Sequence, residues 1–129
     1  MMAQRPSGYL YLKNDADMGG DRVSDAEDLL AWQIKAAGLP EPVRQYYYAR
    51  PRRFRADFAW LLPPPFSLLV EVQGGIYSRR AHGSISGVLA DIDRLNSATL
   101  AGWRLLRVTP DMVKDGRALA LIERALNGT

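Results

Sequence analysis

The chain has 129 residues, 47% hydrophobic and 24% charged, with no cysteine, one histidine and a formal net charge of +3. Those values predict one soluble globular domain with an ordinary core. They exclude disulfides, thiolate chemistry and a multi-histidine zinc centre, so any metal is expected on oxygen ligands.

Residues 1–22 mix Gly, Asp and Asn around Tyr9-Leu10-Tyr11-Leu12 and read as a loose arm, leaving residues 23–129 as a single domain. The start of the chain has no apolar stretch of signal-peptide type, and nowhere is there a run near the ~20 apolar residues of a membrane span. A cytoplasmic protein without a membrane role is therefore expected. Ser24-Asp25-Ala26-Glu27 has the spacing of a capping box, and Leu30, Ile34 and Ala37 continue it as a helix that Gly38 and Pro40 end. Val43 to Tyr48 and Phe54 to Trp60 are aromatic-rich and flank a turn at Ala49 to Arg52, which predicts an antiparallel hairpin. Pro63-Pro64-Pro65 then breaks the sheet, and Ser67 to Gln73 is a third strand.

Gly74 to Ser84 reads as a basic loop carrying Arg79, Arg80 and His82. After it, Ile85, Val88, Leu89, Ile92, Leu95, Thr99 and Leu100 recur at helical spacing and stop at Gly102. Trp103 to Val108 is a fourth strand. Thr109-Pro110 caps a last amphipathic helix through Ala118, Ile122 and Leu126. The expected fold is one α/β domain in the order α-β-β-β-α-β-α, a mixed sheet of four strands flanked by helices. No glycine-rich phosphate loop is present, because Gly74-Gly75 lacks either known spacing.

Two apolar strands each carry a carboxylate, Asp57 in Phe54 to Trp60 and Glu71 in Ser67 to Gln73. A charged group among apolar neighbours needs a partner, and a cation or an arginine network would serve. Glu71 and Gln73 share a face of their strand, since alternate side chains point the same way. Residues 42–107 hold ten arginines against four acids, while six acids fall in the first 28 residues. Arginine forks suit phosphate oxygens, so a polyanion, nucleic acid first, is the expected partner. A compositional preference for arginine is the plainer reading of the same bias.

Glu27 on a helix, Asp57 on the second strand, and Glu71-Val72-Gln73 on the third, followed by a helix and Gly102-Trp103-Arg104-Leu105-Leu106-Arg107, resemble the PD-(D/E)xK, or restriction-endonuclease-like, nucleases. The pattern over residues 24–126 is most similar to Holliday junction resolvases of bacteriophage type. That resemblance implies a restriction-endonuclease-like core and divalent-metal-dependent hydrolysis of DNA at four-way junctions. Glu27, Asp57, Glu71 and Gln73 are the implied catalytic residues. Mg²⁺ or Mn²⁺ would be held by Asp57, Glu71, the Val72 carbonyl and, directly or through water, Glu27. Arg50, Arg52, Arg53, Arg55, Arg79, Arg80 and His82 would meet branched double-stranded DNA.

Gln73 stands where the family usually has lysine, so a water can be oriented there but no charge supplied. A nuclease nicking linear duplex, and a DNA-binding member without chemistry, stay open as alternatives. Paired cuts in a junction imply a two-fold homodimer. Its expected surface is Leu61 to Phe66 with Tyr46-Tyr47-Tyr48. Glu27 as a capping residue, and Asp57 and Glu71 as members of structural ion pairs, are the simpler readings of the same positions.

Overall fold

The computed structural model describes residues 21–74 and 84–128. Residues 1–20 and the loop positions Arg79, Arg80 and His82 lie outside them. Helix α1 (Asp21–Ala36) leads into strands β1 (Val43–Tyr47), β2 (Arg55–Trp60) and β3 (Leu68–Val72). Helix α2 (Ile85–Leu100), strand β4 (Arg104–Val108) and helices α3 (Pro110–Lys114) and α4 (Arg117–Leu126) follow. The four strands form one mixed sheet in the order β1-β2-β3-β4. β1 to β3 are antiparallel neighbours, and β4 runs parallel to β3 after the α2 crossover. Among the described residues no helix is long and apolar enough to cross a membrane.

The expected elements are all present, with three differences. α1 begins at Asp21, so Ser24 and Glu27 lie inside the helix and the proposed capping box does not start it. The last helix is two helices. Thr109 caps the first as expected, its hydroxyl accepting from the Met112 N–H at 3.2 Å. Gly116, at φ +90°, then stops the run, and the Asp115 carboxylate accepts the Arg117 N–H as α4 begins. Only glycine takes that backbone conformation at little cost.

The third difference concerns what α2 buries. On one sheet face Phe58, Trp60, Leu68, Val70 and Val108 pack against Leu30 and Ile34 of α1, Val113 of α3 and Ile122 of α4, forming the main core. The other face is a smaller cluster of Tyr48, Ala56, Ala59 and Leu69, covered by Ala98 of α2. Apolar residues at helical spacing ordinarily face the core. In α2 they face outward, and the sheet side is lined by Asp91, Arg94 and Ala98, of which the first two reach Arg107 and Glu71. Ser84 caps this helix, its hydroxyl accepting the Gly87 N–H at 3.0 Å, and Gly102, at φ +88°, ends it.

The hairpin turn closes through the Arg52 N–H on the Ala49 carbonyl at 2.8 Å. Tyr48 is buried and Tyr46 lies against Trp103 with ring centroids 5.7 Å apart. These two aromatics therefore serve the fold's own second face, and not the partner surface expected of them. Leu61, Leu62 and Phe66, on the proline-rich connection, are exposed.

A candidate carboxylate site at the β2–β3 divergence

The paired residues of β2 and β3 run from Trp60↔Leu68 to Phe58↔Val70. Beyond that pair a side chain takes over, and the Val72 N–H donates to Asp57 Oδ2 at 2.7 Å. Asp57 thus marks the place where the two strands part. Asp57 is itself half-buried, and its chain neighbours Ala56 and Phe58 are fully buried. Burial is the largest cause of its raised pKa, opposed by the Val72 N–H and reinforced by the negative charge of Glu27. The Gln45 amide lowers it again, and the charge of Glu71 raises it further. Glu27 of α1 and Glu71 of β3 therefore both bear on Asp57, which unlike them has no arginine ion pair among the described residues.

Glu27 is carried to this point because Ala26, Leu30 and Ile34 seat α1 on the sheet. Its carboxylate accepts from Arg44 Nη2 at 2.9 Å and from Gln45 Nε2 at 2.6 Å. The same Gln45 nitrogen lies 3.4 Å from Asp57 Oδ1, so one amide bridges two acids. Gln45 lies opposite Asp57 in the hairpin, between the pairs Arg44↔Phe58 and Tyr46↔Ala56. Among the described residues it is also the non-glycine with positive φ, at 53°. A left-handed backbone costs an ordinary side chain ~1–2 kcal/mol, and such outliers concentrate at functional sites. Sequence reasoning missed Gln45. A turn at 49–52 would set position 45 opposite 56; the observed register is one residue longer, with Tyr47 opposite Arg55, and that shift brings Gln45 to Asp57.

Glu71 is buried and is held by two arginines. Arg94 of α2 donates to Glu71 Oε2, and Arg107 Nε lies 3.4 Å from Glu71 Oε1 without hydrogen-bond alignment. Arg107 is itself bound through both terminal nitrogens to Asp91, at 2.8 and 2.9 Å. Those Asp91 bonds are the first cause of the raised Arg107 pKa. The arginine network considered beside a functional role is therefore real for Glu71, while Asp57 meets an amide and a backbone N–H. Tyr48 adds a buried hydroxyl with no hydrogen-bond partner among the described residues. Burial pushes its pKa up, with Arg94 opposing and Glu71 adding.

Gln73 follows β3, half-buried, with its N–H on the Val108 carbonyl at 2.6 Å. Val72 contributes its N–H to Asp57. Arg50, Arg52, Arg53 and Arg55 are all exposed around the β1–β2 turn. Arg50 and Arg55 lie over the Tyr47 ring, 5.0 and 5.9 Å from its centre, and Arg52 lies over Phe54 and pairs with Asp93. The fold thus gathers Glu27, Asp57 and Gln45 directly, places Glu71 within electrostatic reach, and sets an arginine-rich tip beyond them.

Oxygen is the donor type on offer for a metal, and no group of three or more His, Cys, Asp or Glu side chains among the described residues is arranged to hold one. Two carboxylates are an ordinary protein share for Mg²⁺, which keeps several waters and takes substrate phosphate oxygens besides. Asp57 and Glu27 are two such carboxylates, joined here by the Gln45 amide. Compared with protein-family models, curated proteins and solved structures, the chain matches none.

Proposed function

We propose that this protein is a divalent-metal-dependent endodeoxyribonuclease with a restriction-endonuclease-like core, acting as a homodimer on four-way DNA junctions. The observation that carries the reading is Asp57: a half-buried carboxylate, its pKa raised, at the point where β2 and β3 part and beside Glu27 and Glu71. The order of elements around the β1-β2-β3-β4 sheet supports it. So does the exposed cluster of Arg50, Arg52, Arg53 and Arg55, whose planar forks match phosphate oxygens. Asp57 and Glu27 would hold Mg²⁺ or Mn²⁺, with Glu71 and the Val72 carbonyl as further donors, and the bound ion would supply an activated water and offset negative charge on the phosphate oxygens. Gln73 orients that water through its amide, and Arg79, Arg80 and His82 meet the DNA backbone.

A DNA-binding member of the fold without chemistry is the second reading. It is favoured by Glu71, whose charge Arg94 and Arg107 already neutralise, and by glutamine at position 73. The deciding experiment is cleavage of a labelled four-way junction beside its matching linear duplex, in Mg²⁺, Mn²⁺ or EDTA. Native protein is compared with Asp57→Asn. Paired symmetrical nicks in the junction, lost with EDTA and in the variant, are expected. Equal cutting of both substrates moves the assignment to a duplex-nicking nuclease, and tight binding without cutting in any metal moves it to the second reading.

A further inference from the structure

Between the C-terminal half of α1 and the start of β1 lies a pocket of about 410 Å³. Ala31, Ile34, Leu39 and Pro42 give it apolar walls, and the exposed Lys35, Glu41 and Arg44 supply its charges. The fold fixes its shape. Gly38, at φ +73°, turns the chain back after α1, and the Leu39 N–H reaches the Ile34 carbonyl at 3.2 Å. Trp60 Nε1 then donates to the Pro40 carbonyl at 2.8 Å, fastening the connection to β2. A preformed pocket spares its ligand much of the ordering cost, and ~300–1,000 Å³ is the usual size for a small molecule.

We infer that this pocket binds a small monoanion with an apolar body, an aromatic or aliphatic carboxylate. The charges select that class. Arg44 uses Nη2 for Glu27 at 2.9 Å, while its guanidinium lies over the buried Phe58 ring, 4.8 Å from the centre. Its Nε and Nη1 make no hydrogen bond among the described residues, so most of its N–H donors stay available to an anion. Lys35 has no ion pair among those residues either. An acid group seated between the two gains a planar fork and an ammonium. Glu41, also without an ion pair there, weighs against a second negative charge on the ligand. A nucleic-acid backbone repeats its charge at every phosphate and is opposed on the same ground, so the pocket does not extend the arginine-rich tip.

Arg44 also holds Glu27. A ligand in the pocket therefore draws on the cation that compensates this acid. The pocket and the carboxylate site share one guanidinium, and linked binding makes the influence mutual.

The test needs neither DNA nor metal, so it stands or falls apart from the nuclease reading. The full chain, labelled with ¹⁵N, is titrated with hydrocinnamate in the millimolar range. Saturable shifts are expected at the Ala31, Lys35, Leu39 and Arg44 amides. The uncharged hydrocinnamide and the dianion benzylmalonate, which keep the same body, are each expected to bind about threefold more weakly, the scale of one exposed charge pair. Lys35→Glu is expected to reverse the preference, so that phenylpropylamine binds better than hydrocinnamate. Ala31→Trp fills the pocket and is expected to abolish the shifts; if that variant does not fold, the exposed Lys35→Glu decides. Absence of saturable shifts at these amides overturns the inference. So do shifts confined to α2, equal binding of acid and amide, and a preference that Lys35→Glu leaves unchanged.

Discussion

Asp57 sits between two fully buried residues, and the consequence for stability follows from its raised pKa. The unfolded chain releases this proton near the ordinary carboxylate value, while the folded chain keeps it to a higher pH. Between those two values the native state binds more protons than the unfolded state, so stability falls as pH rises through that window. Asp57→Asn keeps an oxygen to accept the Val72 N–H and removes the charge. In metal-free buffer it is expected to raise the melting temperature at neutral pH, with the gain fading as pH falls below the ordinary carboxylate range. Calorimetry across pH checks this. Added Mg²⁺ is expected to raise the melting temperature of the native chain and leave that of the variant unmoved. Gln45 offers a separate backbone test. Gln45→Ala and Gln45→Gly both lose the amide that bridges Glu27 and Asp57, and only alanine keeps a Cβ at φ 53°. The glycine variant is expected to be the more stable by about 1 kcal/mol in urea titrations. Asp57 was legible from sequence because a lone acid in an apolar strand stands out. Gln45 was not, because glutamine at a strand edge is ordinary and its left-handed backbone leaves no mark in composition.

Helix α2 is an element whose existence was plain in the sequence and whose orientation was not. A periodic apolar stripe says that a helix has two unlike faces; it does not say which of them meets the sheet. Here ion pairs to β3 and β4 turn the polar face inward, and those pairs join residues 23 and 16 positions apart, beyond any local pattern. Glu71 therefore has a structural duty that Asp57 lacks. Glu71→Ala leaves Arg94 and Arg107 without their shared carboxylate, and is expected to cost about 2–3 kcal/mol by the usual penalty for breaking a largely buried pair. Chemical denaturation separates the two acids: Asp57→Asn holds or gains stability where Glu71→Ala loses it. The split of the last helix has a local cause that was visible in Asp115-Gly116, yet the apolar positions on either side carried the reading across it.

At the scale of the molecule, the four strands, their flanking helices and the hairpin turn were readable because apolar runs, prolines and glycines punctuate the chain at element length. Pairwise geometry was not readable: that Glu71 meets arginines and Glu27 meets Gln45 depends on how strands and helices stack. Charge is distributed so that the exposed arginines of the β1–β2 turn project beyond the carboxylates. If they pair with phosphates, junction affinity falls steeply with salt, and removing one arginine–phosphate pair lowers the slope of log K against log salt by about 0.9. Arg50→Ala and Arg53→Ala together are expected to reduce that slope by about 2 in fluorescence anisotropy titrations, with little change in thermal stability because both side chains are exposed.

The bond from the Val72 N–H to Asp57 has a practical corollary. It ties a main-chain proton directly to a carboxylate that has no arginine ion pair among the described residues, so the ¹H and ¹⁵N resonances of that single amide follow whatever happens to the acid. Titration, ion uptake and approach of a phosphate would each displace them. The molecule therefore carries its own spectroscopic probe at residue 72, readable in uniformly labelled protein without altering any side chain nearby.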